Sequence, residues 1–179
     1  PNIPNILTIL RFLLVPVFAN FLCREKYLES VVVFVLAGVT DLLDGYIARK
    51  YNMITDWGKV ADPLADKLMQ LTAVFILSVI KGFIPVGLML IILIKEALMV
   101  IGGAFLYKKM DFVVSANWYG KLATTLLFIA IIAVMLNKKF PFLPDAQFFV
   151  IIAFASVIFA FIMYLRNFVK IVRKSCKTM

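Results

Sequence analysis

Six long apolar runs, each close to the roughly 20 residues that a bilayer-spanning helix requires, follow one another with only short polar connections between them. Inside lipid a segment must satisfy its own backbone N–H and C=O groups, so such runs fold as transmembrane helices. The expected fold is therefore all-α and integral to a membrane. The runs over 5–22, 28–48, 57–80, 84–107, 117–137 and 146–170 predict six transmembrane helices. With 64% hydrophobic and 16% charged residues in 179, the whole chain, 1–179, reads as a single membrane domain with no room for a large soluble one. Pro1 to Pro4 lacks the basic region and the cleavage site of a signal peptide, so none is expected to be removed.

The few polar residues narrow the function. Histidine is absent, which removes the commonest general base and metal ligand at neutral pH; acid–base work falls to the ten carboxylates. Cys23 and Cys176 fall on opposite membrane faces in this topology, so both are expected as free thiols. A net charge of +9 suits anionic headgroups, and with no aromatic-basic module in view no nucleic-acid partner is expected. With the N-terminus in the cytoplasm, Arg49, Lys50, Lys59, Lys108, Lys109, Lys121, Lys170, Arg173, Lys174 and Lys177 lie on that side. Arg24, Lys26, Lys81, Lys138 and Lys139 lie on the other. Ten against five places both termini in the cytoplasm by the positive-inside bias.

Five acids, Asp41, Asp44, Asp56, Asp62 and Asp66, crowd into 26 residues at the end of the second run and the start of the third. On a helix Asp41, Asp44, Gly45 and Ala48 share one face, as do Gly58, Asp62 and Asp66. The short connection makes the two helices antiparallel, and Asp41 and Asp62 each lie roughly 10 Å from it. Four carboxylates are thus expected to converge just inside the cytoplasmic face, between helices 2 and 3. Without a balancing cation most would be forced to take up protons. Hard oxygen donors select Mg²⁺ or Mn²⁺, or Ca²⁺, over zinc, and the ligand count fits two ions. Gly45 and Gly58 permit close backbone approach of a ligand, or close helix packing, and Arg49 carries the planar fork that suits a phosphate. Asp56, beside Thr55 at a helix start, reads instead as a cap. The other four, on facing stripes within lipid, read as functional. A divalent-cation transporter would use the same carboxylates, but Arg49 opposes cation passage and no paired inverted repeat is visible. A structural scaffold leaves the acids without a cause.

As one string, Asp41-Leu-Leu-Asp44-Gly45-Tyr-Ile-Ala48-Arg49, eight residues, then Gly58-Lys-Val-Ala-Asp62-Pro-Leu-Ala-Asp66, this resembles the DxxDGxxAR…GxxxDxxxD signature of the CDP-alcohol phosphatidyltransferases at every fixed position. Asn5-Ile-Leu-Thr8-Ile-Leu-Arg11 and Asp62-Pro-Leu-Ala-Asp66-Lys67 resemble the phosphatidylglycerophosphate synthase and cardiolipin synthase branch. The resemblance implies transfer of the phosphatidyl group of CDP-diacylglycerol to an alcohol with release of CMP, at a membrane such as the bacterial inner membrane. It implies metal ligation by Asp41, Asp44, Asp62 and Asp66, with Asp66 also the base. Gly45, Ala48 and Gly58 would leave room for cytidine, while Arg49, Asn5 and Thr8 reach its phosphates. A homodimer is also implied.

The acceptor that the resemblance implies is sn-glycerol 3-phosphate, giving phosphatidylglycerophosphate, with phosphatidylglycerol as the alternative. Lys95 and Glu96 fall near the middle of the fourth run, where charge is costly, and neighbours on a helix point apart, so direct neutralisation of one by the other is not expected. Lys95 and Lys121 match basic positions of the phosphatidylglycerophosphate synthases and are candidate acceptor-phosphate contacts. A second arginine of that group is replaced here by Gly103, which favours a lipid acceptor, as in cardiolipin synthesis. Trp57, Trp118 and Tyr119 near run ends read as interfacial aromatics. Pro16, Pro85 and Pro144 read as helix kinks or starts.

Overall fold

Apolar runs free of internal turn signals become helices, and the turns fall where charge, glycine and proline collect. The computed structural model describes the backbone of residues 3–51, 56–110, 118–143 and 145–177, and side chains within 6–47, 50–51, 61–62, 64–99, 118–143 and 145–169. Among the described residues there are six α-helices and no strand. They are α1 (Ile3–Cys23), α2 (Tyr27–Lys50), α3 (Asp56–Phe75), α4 (Val86–Met110), α5 (Trp118–Lys139) and α6 (Gln147–Lys177). A short π-helical turn, Ile76–Ile80, extends α3. Pro16 sits inside α1, whereas Pro85 immediately precedes α4 and its carbonyl accepts from the Leu88 N–H at 3.0 Å. Pro144 lies outside the described residues.

Four stretches are long and apolar enough to cross a bilayer: Ile6–Cys23, Tyr27–Ile47, Trp118–Lys139 and Gln147–Val169. Six were expected. Helix α3 differs because Asp56, Lys59, Asp62, Asp66 and Lys67 fall within its first turns, giving it one strongly polar face. The side chains of α4 are described only as far as Met99, short of a full crossing.

The chain divides into two compact units, Pro1–Phe83 with Val134–Pro144, and Ile84–Ala133 with Asp145–Met179. In the first, α1 packs against both α2 and α3, while α2 and α3 meet over a much shorter length. Small residues set the approach: Ala37, Ala65 and Ala73 are buried, and in lipid close backbone contact rather than hydrophobic exclusion holds helices together. Phe18 and Phe34 fill the α1–α2 seam with ring centroids 5.3 Å apart. The α1–α2 turn closes with Glu25 at φ 61°. The Lys26 N–H reaches Phe21 O and the Glu25 N–H reaches Leu22 O, the paired bonds of a Schellman cap.

In the second unit α6 buries Val150, Ala153, Val157, Ala160 and Tyr164, an alternation of three and four that keeps one seam inward. Phe148, Ile151, Phe159 and Ile162 stay exposed, as a lipid-facing surface should. Trp118 is exposed at its helix start, in keeping with an interfacial aromatic. Tyr119 is not: it is buried, and its hydroxyl accepts from Asn167 Nδ2 at 2.7 Å. The adjacent position turns inward on the helix, and Asn167 gives its polar end a partner there.

Candidate functional site

The site is built in the first unit by three helices. One helical turn of α2 separates Asp41 from Asp44, so both carboxylates project from one face. Asp44 is almost fully buried and the Asp41 side chain is 39% exposed. From α1 the Arg11 guanidinium, 1% exposed, spans the two. Its Nη2 donates to Asp44 Oδ2 at 2.6 Å, and its Nη1 lies 2.9 Å from Asp41 Oδ1 as an ion contact. Among the described residues, Arg11 Nε is buried without a hydrogen-bond partner and Nη1 makes none of hydrogen-bond geometry.

Helix α3 supplies the second stripe. Asp62 Oδ1 accepts a hydrogen bond from the Thr8 hydroxyl of α1, and the Asp62 charge bears on both Asp41 and Asp44. Asp66, one turn further along α3, is half-buried and itself engaged in a polar contact. Helix α1 is therefore the wall on which the two acidic stripes are hung, Thr8 holding one and Arg11 the other.

The expected four-carboxylate cluster is not drawn tight: among the described residues no three carboxylates stand close enough to hold one ion. Among the described residues α1 satisfies oxygens of both stripes, Asp44 through Arg11 and Asp62 through Thr8. The donor set still suits a hard divalent cation. Asp41, Asp44 and Asp62 gather three carboxylates near one guanidinium and one hydroxyl, the oxygen-donor chemistry that hard divalent ions take.

Gly45 follows Asp44 on α2 and is half-buried. The side chains of Asn5, Ala48 and Arg49, and Asp56, Trp57 and Gly58, lie outside the described residues, as do Gly103 and Cys176. Cys23 is an exposed free thiol. Arg11 was legible only as part of a string, yet it is the sole charge between Ile6 and Leu22. A charge inside an apolar run calls for a partner, and here the partners are the acidic stripe.

Lys95 and Lys121 belong to the second unit. Lys121 is exposed on α5. Lys95 is buried, and contrary to the sequence expectation its Nζ pairs directly with Glu96 Oε1 at 2.7 Å. Helix neighbours do point apart at Cβ, but both side chains are long enough to fold toward each other, and desolvation penalises any arrangement that leaves the two charges separate.

Residues 1–166 match the family described as CDP-alcohol phosphatidyltransferase. A protein of Bacillus subtilis (strain 168) named CDP-diacylglycerol--glycerol-3-phosphate 3-phosphatidyltransferase is 32% identical over 177 residues, covering 87% of this chain and 90% of its own. One of the same name from Aquifex aeolicus (strain VF5) is 33% identical over 134 residues, 74% of this chain and 75% of its own. Another from Rickettsia typhi is 49% identical over 74 residues, 38% of this chain and 40% of its own.

Proposed function

The chain belongs to the CDP-alcohol phosphatidyltransferase family, and we propose that within it the protein transfers the phosphatidyl group of CDP-diacylglycerol to sn-glycerol 3-phosphate, giving phosphatidylglycerophosphate and CMP. The observation that carries this reading is the arrangement of the motif aspartates: Asp41, Asp44 and Asp62 gathered around Arg11 and Thr8 on α1. The acceptor follows the relatives, which share that printed activity across most of the chain.

Asp41, Asp44, Asp62 and Asp66 would hold Mg²⁺ or Mn²⁺, two ions by ligand count. When bound, the metal would supply charge neutralisation on the diphosphate and on the departing CMP. The chain does the rest. Asn5, Thr8 and Arg49 orient the donor phosphates, and Gly45, Ala48 and Gly58 leave space for the nucleotide. Asp66 accepts the proton of the acceptor hydroxyl, whose oxygen forms a new bond to the phosphatidyl phosphorus as the bond to CMP breaks. Lys95 and Lys121 are the candidate contacts for the acceptor phosphate. We place six helices in one catalytic membrane domain of a homodimer, its site open to the cytoplasmic face of a bacterial inner membrane, with the diacyl tails remaining in lipid.

One observation favours a second acceptor: Gly103 stands where an arginine would clamp a phosphate, which suits phosphatidylglycerol and cardiolipin synthesis. Purified protein in mixed micelles with CDP-diacylglycerol and Mg²⁺ decides between them. Glycerol 3-phosphate should release CMP and phosphatidylglycerol should not. The reverse result selects cardiolipin synthesis, and no CMP with either acceptor sinks the proposal. Divalent-ion flux into liposomes without any CDP-lipid would favour a transporter.

A further inference from the structure

A guanidinium buried to 1% exposure between two carboxylates is doing the work of a cation. It takes Asp44 Oδ2 at hydrogen-bond distance and lies against Asp41 Oδ1, one oxygen of each of two candidate metal ligands. Two positive charges cannot share those oxygens at close range without strong repulsion in a low-dielectric interior. Yet, among the described residues, Arg11 Nε has no hydrogen-bond partner and Nη1 is engaged only as an ion contact. A buried donor left unmade is costly, and a planar fork with spare donors is suited to phosphate oxygens. The same helix face carries Thr8, one turn earlier, beside Asp62.

We propose that Arg11 is a positioning residue that holds Asp41 and Asp44 in register until a divalent ion displaces it, and then turns its guanidinium to the donor's diphosphate. It competes with the metal for the carboxylates and cooperates with the nucleotide. This rests on the phosphatidyltransferase reading, and it makes the two ligands respond to Arg11 in opposite directions. A residue that merely braces α1 against α2 would weaken both.

The test is Arg11→Met, which keeps side-chain length and removes charge, with Arg11→Lys beside it, which keeps charge but cannot span both aspartates. Mn²⁺ affinity of the intact detergent-solubilised protein is measured by electron paramagnetic resonance, and CDP affinity of the Mn²⁺-loaded protein by calorimetry. Arg11→Met should bind Mn²⁺ about tenfold more tightly and CDP about tenfold more weakly, each a shift of one 1.4 kcal/mol step; Arg11→Lys should fall between. Mn²⁺ affinity unchanged or lowered overturns the proposal, and so does unchanged CDP affinity. If Arg11→Met is unfolded without metal, the Arg11→Lys affinities decide by the same two criteria. If both variants fold only when Mn²⁺ is present, CDP affinity of the Mn²⁺-loaded proteins decides: weakened binding supports the proposal and unchanged binding overturns it. If neither folds with or without Mn²⁺, it falls. Wild-type CMP release, run in parallel, separates the two failures. Turnover with unmoved Mn²⁺ affinity in the variants refutes the Arg11 role alone, whereas a wild type that neither turns over nor binds Mn²⁺ refutes the enzyme reading.

Discussion

Thr8 on α1 donates its hydroxyl to Asp62 on α3, 54 residues later in the chain. That single bond fixes one acidic stripe against the first helix and gives a metal-ligand candidate its orientation. Thr8→Val keeps the shape and removes the donor, so it should cost about 1–2 kcal/mol of stability and raise the concentration of Mg²⁺ needed for half-maximal CMP release. Thr8→Ser should restore both. A Thr8→Val protein with wild-type Mg²⁺ dependence would show that the bond does not orient Asp62.

Asp66 stands one turn beyond Asp62 on the same face of α3. In the role of base, Asp66→Asn should lower kcat by about 10²–10⁴-fold while CDP-diacylglycerol still binds, read by donor retention in a filter or micelle-shift assay. A variant with near-normal kcat would take the proton-transfer role away from Asp66.

Lys95 and Glu96 neutralise each other within α4 at 2.7 Å. Lys95→Met and Glu96→Gln should each lower the melting temperature in detergent, because each removes one half of a buried ion pair. The double variant should lose less than the two losses added, by a coupling of about 0.5–3 kcal/mol. If Lys95 also meets the acceptor phosphate, Lys95→Met should raise KM for glycerol 3-phosphate, a change that Glu96→Gln alone should not reproduce. Strict additivity in melting temperature would mean the pair contributes nothing as a pair.

At the turn after the π-helical segment, Gly82 has φ 66° while the Phe83 N–H reaches back to Leu77 O at 2.8 Å. A Cβ placed there would touch nothing within 4 Å, so the penalty of Gly82→Ala is conformational alone. About 1 kcal/mol of destabilisation is expected, with kcat per folded molecule unchanged. A loss several times larger would point to a contact at this turn beyond its backbone geometry.

Lys81 Nζ donates to Glu25 Oε1 at 2.8 Å and to Cys23 O at 3.2 Å, tying the α3–α4 turn to the α1–α2 turn outside the spans. The hydrogen bond to Glu25 is the largest influence raising the Lys81 pKa above its ordinary value. A pKa raised by folding gives stability that is fully present below the unfolded value, near 10.4, and is lost as pH climbs through the folded one. Glu25→Gln should therefore melt slightly below wild type at pH 8, and the gap should close in strongly alkaline buffer and in 1 M salt. A gap that persists in both conditions would assign the effect to packing.

Much of this was legible in the sequence because lipid leaves few options: an apolar run between polar punctuation must be a helix, and the first five lie within three residues of their expected limits, counting the π-helical turn with α3, while α6 runs on to Lys177, past its expected end at 170. The acidic stripes were legible for the same reason, since helical periodicity alone sets which aspartates share a face. What the sequence hid was pairing across helices. Arg11 could be seen as a charge needing a partner, but only packing reveals that its partners are Asp41 and Asp44. Lys95 and Glu96 were misread because backbone direction was taken as a guide to where long, flexible side chains end. Periodicity equally concealed that Tyr119 turns inward to meet Asn167.

Arg11 is also synthesised before either aspartate that pairs with it. Asp41 and Asp44 both belong to α2, so α1 by itself presents the insertion machinery with an unpaired arginine, a burden of about 2.5–3.5 kcal/mol on translocon scales. Entry of α1 and α2 together as a hairpin would remove that burden, so the ion pair that organises the finished site would also ease α1 into the bilayer.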